Sequence, residues 1–226
     1  MAKSRKEKYK SFEKWKAQEV ENEFKVKRDF YKPDYLTSFL DISNVEPANS
    51  EEKAKIEFIQ NRLVRMVDVW NEFDMSIIFI GQLLEIVDFQ KYTYRAFFNH
   101  SVKAIINGKE IGGRIDCMLA KGRQIPELPL FFIQEYKPTS GPNGDPIGQL
   151  LVEMIAAQSL NNEPDEPIYG CYIIGRNWFF VVLQGSEYAI SSPYVATESD
   201  IYEIICVLKK VKIMFEKKIG YVEENI

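Results

Sequence analysis

Asp116 and the run Glu135-Tyr136-Lys137, with eighteen residues between the two acids, are the residues of this chain whose types and spacing could do chemistry. Leu130-Phe131-Phe132-Ile133 is continuously apolar, as in a strand covered on both faces, and it leads straight into Gln134-Glu135-Tyr136-Lys137-Pro138. Side chains alternate across a strand, so Glu135 and Lys137 project to the same face, about 7 Å apart along the backbone. The preceding segment Gly113-Arg114-Ile115-Asp116-Cys117-Met118-Leu119 also reads as a strand, and pairing the two as a hairpin delivers Asp116 to the same place. Two carboxylates and one ammonium so placed offer two hard oxygen ligands for Mg2+, beside a cation able to hold an attacking water or a phosphate oxygen.

The surrounding elements must hold these groups. Residues 92–106 and 110–120 read as strands joined by a tight turn at Asn107-Gly108-Lys109, and residues 128–137 as a third strand. The segment from Thr139 to Asp145 breaks the sheet, and a helix is predicted over 146–160. Strands follow at 168–174 and 178–183, with a short one near Tyr188 and a last helix over 199–217. Upstream, Ser50 opens a helix in which Ile56, Ile59, Leu63, Met66, Val67 and Trp70 recur at helical spacing, and a second helix runs over 72–87. The order predicts an α/β fold, a mixed central sheet flanked by helices. Residues 1–48 read as a charged N-terminal helical arm with a linker, and 49–226 as one domain.

Asp116, the hairpin and Glu135-x-Lys137 together resemble the PD-(D/E)xK nuclease superfamily, which has the restriction-endonuclease-like fold. Ile106-Asn107-Gly108 leading to Gly112-Gly113-Arg114-Ile115-Asp116, and Gln149-Leu150-Leu151 in the following helix, look like the nuclease domains of type I restriction motor subunits and their stand-alone relatives. The resemblance covers about residues 70 to 190. Ile115 stands where the name-giving pattern has proline. The resemblance implies a Mg2+-dependent nuclease, with Mn2+ as a substitute, that hydrolyses DNA phosphodiester bonds. Asp116, Glu135 and the backbone carbonyl of Tyr136 would be its metal ligands, and Lys137 would act on water and phosphate. It further implies an acid from the first core helix, for which Glu72 is favoured and Glu85 is the alternative, and a glutamine, Gln149, reaching the site. Lys121 and Arg123, in the loop after the second strand, are candidate phosphate contacts. The rival expectation is a catalytically silent module of the same fold that binds nucleic acid or a protein.

Composition bounds these readings. With 226 residues, 46% hydrophobic and 27% charged, the chain reads as globular and long enough for one substantial core plus an appendage. Its net charge is -4, but residues 1–32 carry eleven Lys and Arg against six Asp and Glu, leaving 18 basic against 27 acidic residues elsewhere. A basic arm on an acidic body fits DNA, a protein partner or a homodimer contact through that arm, as well as a merely solvated helix. Charge follows the N-terminal Met where a signal peptide would be apolar, and no apolar run reaches membrane-spanning length, so a cytoplasmic protein without a membrane is expected. Cys117, Cys171 and Cys206 sit among apolar residues and read as free buried thiols. The single histidine, His100, has no recognisable partner for nucleophilic catalysis.

Overall fold

The computed structural model describes residues 9–139 and 144–223. Lys3, Arg5, Lys6 and Lys8 of the basic N-terminus, and Ser140 to Asn143 of the sheet-breaking loop, lie outside the described residues. The fold is mixed α/β, a nine-stranded mixed sheet with helices on both faces.

Three long strands build its centre: β3 (Tyr94–Ile106), β4 (Lys109–Lys121) and β5 (Glu127–Lys137). The turn between β3 and β4 is the two-residue Asn107-Gly108, with φ of 52° and 76° and Ile106 opposite Lys109. Positive φ at both central residues matches the right-handed twist of the flanking strands, which is why Asn-Gly closes this hairpin. β5 runs antiparallel to β4 and parallel to β6 (Ile168–Ile174). β7 (Asn177–Gln184) and β8 (Glu187–Ile190) continue the sheet antiparallel, and β9 (Tyr194–Val195) also pairs with β7. The parallel β5–β6 step requires a crossover, supplied by α6 (Pro146–Asn161).

Two apolar cores lie on the two faces. One holds α6 through Leu150, Leu151, Met154 and Ile155. The other holds Ile56, Ile59 and Leu63 of α3 (Ser50–Met66), together with the inner face of α7 (Asp200–Ile219). Between α3 and β3, α4 (Glu72–Asp74), a π-helical stretch (Met75–Ile80) and α5 (Gly81–Val87) follow without a break as the predicted 72–87 helix. The wide turn is marked by the Gly81 N–H bonding back to the Ser76 carbonyl. Cys117, Cys171 and Cys206 are free and buried. Among the described residues no helix is long and apolar enough to cross a membrane.

The described part of the N-terminal segment is woven into this architecture and is not an arm standing off it. β1 (Lys10–Ser11) pairs parallel with β4 through Lys10 opposite Ile111, and β2 (Lys27–Arg28) pairs parallel with β8. Phe12, Trp15, Val20 and Val26 enter the α6-side core, whereas Leu36 and Phe39 of α2 (Asp34–Leu40) enter the other. The apolar residues of this segment serve several short elements and so follow no single helical register. The crossing over α6 is tight. A β-carbon on Gly148 would lie 2.5 Å from the Ala17 nitrogen and the Trp15 carbonyl oxygen, so only glycine lets the two backbones approach. Asp145 ties them, accepting from the Ile147 and Gly148 N–H groups with one oxygen and from the Ala17 N–H, at 2.9 Å, with the other. Because Phe12 is fully buried, Phe12→Ala is expected to cost about 3–5 kcal/mol in urea unfolding, against roughly 0.5 kcal/mol or less for a residue on a free arm.

Candidate functional site

β4 and β5 separate at Asp116. Their antiparallel ladder runs up to Cys117 opposite Gln134, after which β5 continues to Lys137 along β6 alone. On the same edge of β4, β1 picks up pairing only at Ile111 and Gly112. The stretch from Gly113 to Asp116 therefore lies between two strands that never meet, and a cleft of about 810 Å³ opens there. Asp116 closes the fork: one carboxylate oxygen accepts the Tyr136 N–H at 2.8 Å, replacing the ladder bond lost by the separation. In a strand the N–H and C=O of one residue point to the same edge, and the Lys137 carbonyl bonds on the β6 side to the Gly175 N–H. The Tyr136 carbonyl accordingly faces the fork.

Asp116, Glu135 and Lys137 converge there. The Asp116 and Glu135 carboxyls are close enough for the Asp116 charge to act on Glu135, and Lys137 forms an ion pair with Glu135. Burial pushes the Asp116 carboxyl up to about 6, against the opposing pull of the Tyr136 N–H. Glu135, fully buried, is also raised, first by burial and then by the Asp116 charge. For Lys137 burial is the largest single influence and works downward, but the charge and hydrogen bond of Glu135 together with the Glu72 and Asp116 charges outweigh it and hold the ammonium above its ordinary value.

Glu72, the first residue of α4, stands on the rim with an oxygen 3.5 Å from the Lys137 nitrogen. Glu85 does not approach. It lies thirteen residues further along the helix, about 20 Å by helical rise, beside Glu51 and Lys55 of α3. Gln149, in the first turn of α6, donates its amide to Glu135 at 2.7 Å and to Glu153 at 3.2 Å. Lys121 and Arg123, expected as phosphate contacts, do not lie beside the site. Lys121 pairs with Glu127 at the opposite end of β5, about 17 Å along β4 from Asp116, and Arg123 packs on the Tyr92 ring. The error was one of direction: in an antiparallel pair the connecting loop and the free strand ends lie at opposite ends.

Two residues complete the site without having been singled out in the sequence. Glu153 is fully buried one turn beyond Gln149, its carboxyl raised by burial and by the Glu135 charge. The spacing of four on a helix was visible, but nothing marked that face as turned inward to an acid. Asn99, opposite the fork on β3, has a φ of 50° inside a strand. Phe97 and Val102 pack in the same core although their separation of five would put them on opposite faces of a regular strand. On β4, Ile115 and Met118 do the same at a separation of three. The alternation of both strands changes phase at Asn99 and Asp116, and a left-handed non-glycine residue is the backbone device that permits it.

No protein-family model matches this chain, and no curated protein matches its sequence. Among the described residues no three acidic, cysteine or histidine side chains form a ready-made metal cage. Mg2+ takes one or two carboxylates and keeps several waters, a demand that Asp116, Glu135 and an inward-facing carbonyl match.

The raised Asp116 group has a testable linkage. The folded protein keeps a proton that the unfolded chain releases, so the contribution of Asp116 to stability is full below about pH 4 and is lost as pH rises through about 6. In EDTA, Asp116→Asn is expected to melt with the wild type at pH 4 and a few degrees above it at pH 7.5, the amide still accepting the Tyr136 N–H. Parallel melting curves across that pH range would overturn this account of the carboxyl.

Proposed function

We propose that the chain is a Mg2+-dependent nuclease of the restriction-endonuclease-like fold that hydrolyses DNA phosphodiester bonds, with Mn2+ as an alternative ion. One observation carries the reading: two acids and a lysine meet at the fork of two central strands, Asp116 and Lys137 lining an open cleft and Glu135 buried behind them. Like charges held together disfavour each other's ionisation, and a divalent cation relieves that repulsion more fully than one ammonium can.

Asp116, Glu135 and the Tyr136 carbonyl would hold the ion, which when bound neutralises phosphate charge and makes water a better nucleophile. Lys137 is held between Glu135 and Glu72 with its nitrogen at the cleft floor, where it can donate to a phosphate oxygen or orient the attacking water. Gln149 fixes the rotamer of Glu135 from behind. The rival reading, a silent module that binds nucleic acid or a protein, draws on the Lys137–Glu135 ion pair, which already neutralises one acid by itself.

Mg2+ or Mn2+ is expected to raise the melting temperature of the wild type, by an amount set by free metal over its dissociation constant, and to support nicking or degradation of DNA. Asp116→Asn should abolish both effects. Lys137→Ala should abolish cleavage and keep most of the metal response, because lysine acts on water and phosphate. A wild type that shows neither a metal-dependent shift nor cleavage of duplex, single-stranded or branched DNA is the silent module.

A further inference from the structure

The cleft has a second lobe of different chemistry. A cavity of about 490 Å³ adjoins the acidic one and shares Glu72, Asn99 and Asp116 with it. Its walls are mostly apolar: Phe73 and Ile77, four residues apart on the helix, line it together with Phe98 of β3. These side chains are 72%, 54% and 39% exposed, so the two rings and the branched chain serve neither core. The first lobe, by contrast, carries Lys14 and Arg114 in addition to Lys137, together with Glu13. Among the described residues Lys14 and Arg114 have no carboxylate partner, the Arg114 guanidinium reaching only the Asn99 side-chain oxygen at 3.4 Å.

We propose that the site takes an unpaired nucleotide of single-stranded DNA, its base between Phe73 and Phe98 and its phosphate at Asp116 and Lys137. This rests on the nuclease reading above. A nucleotide has the same two-part character, an anionic phosphate joined to a flat apolar base, and the lobes present matching surfaces on either side of the acids. In an intact duplex the base faces are stacked on their neighbours, so an aromatic-walled lobe next to the reacting phosphate is reachable only by a base out of the stack. Lys14 and Arg114 meet the phosphates of the neighbouring nucleotides in the polar lobe.

Fluorescence anisotropy of full-length Asp116→Asn protein, at fixed ionic strength, with labelled oligo-dT and with a blunt duplex of equal length tests this. Oligo-dT is expected to bind about tenfold more tightly than the duplex. Adding Phe73→Ala and Phe98→Ala should weaken oligo-dT binding by about tenfold or more and leave duplex binding unchanged, the loss expected for base stacking. If the combined variant unfolds, Phe73→Ala alone, at the more exposed position, is expected to act in the same direction. Equal affinity for the two forms, or oligo-dT binding indifferent to both phenylalanines, overturns the proposal. Wild-type cleavage with Mg2+ and Mn2+ separates the two levels. Duplex cut as fast as single strand overturns the base lobe and leaves the nuclease. Phenylalanine-dependent oligo-dT binding without cleavage of any form supports the base lobe and overturns the nuclease.

Discussion

β5 stays paired with β6 to its end but parts from β4 beyond Gln134, and the separation leaves a backbone donor inside the protein. The Asp116 carboxylate accepts that donor, the Tyr136 N–H. An unpaired buried N–H would cost about 1–3 kcal/mol, so the side chain takes part in the hydrogen-bond accounting of the fold as well as in any chemistry of the cleft. It also explains where the site lies. The cleft exists because β1 and β5 occupy the two ends of one edge of β4 and leave Gly113 to Asp116 between them.

Carboxylates this deep need compensation, and each neighbouring element supplies a different kind. Lys137, two residues along the same strand, pairs with Glu135. The α6 helix turns Gln149 inward, and its amide spans Glu135 and Glu153 with two N–H donors. The helix that begins at Glu72 puts one more carboxylate within 3.5 Å of the ammonium, at the rim where water screens it. The acids below that rim, Asp116, Glu135 and Glu153, all hold their protons more firmly than ordinary carboxyls, with burial the largest cause in each. Asn99 supplies the backbone counterpart, a left-handed residue that changes the phase of β3 where Asp116 must turn toward β5. Strain of this kind survives only where the surroundings over-determine it, and here the β3–β4 ladder on either side of Asn99 does.

The N-terminal segment gives the cleft its far wall. Its passage over Gly148 and its anchoring by Asp145 fix Ser11, Glu13 and Lys14 along the polar lobe. The same aspartate caps α6, so the helix carrying Gln149 and the wall facing it are set by one residue.

Sequence by itself determined the elements whose signals are local. The Asn107-Gly108 hairpin, the apolar run of β5 ending in Glu135-Tyr136-Lys137, and the helices starting at Ser50, Glu72 and Pro146 all follow from turn chemistry, periodicity and capping within a few residues. The same-face placement of Glu135 and Lys137 is likewise a property of one strand. Tertiary structure decided everything that depends on how strands are paired and which end faces which. It put Lys121 and Arg123 at the far end of the sheet, placed Glu72 at the site and left Glu85 on another face, turned Glu153 inward, and threaded Phe12 and Trp15 into a core that their charged neighbours concealed. A strand or helix records its own period in its residues, but no residue records the partner across from it, and burial of a charge is settled only when that partner arrives.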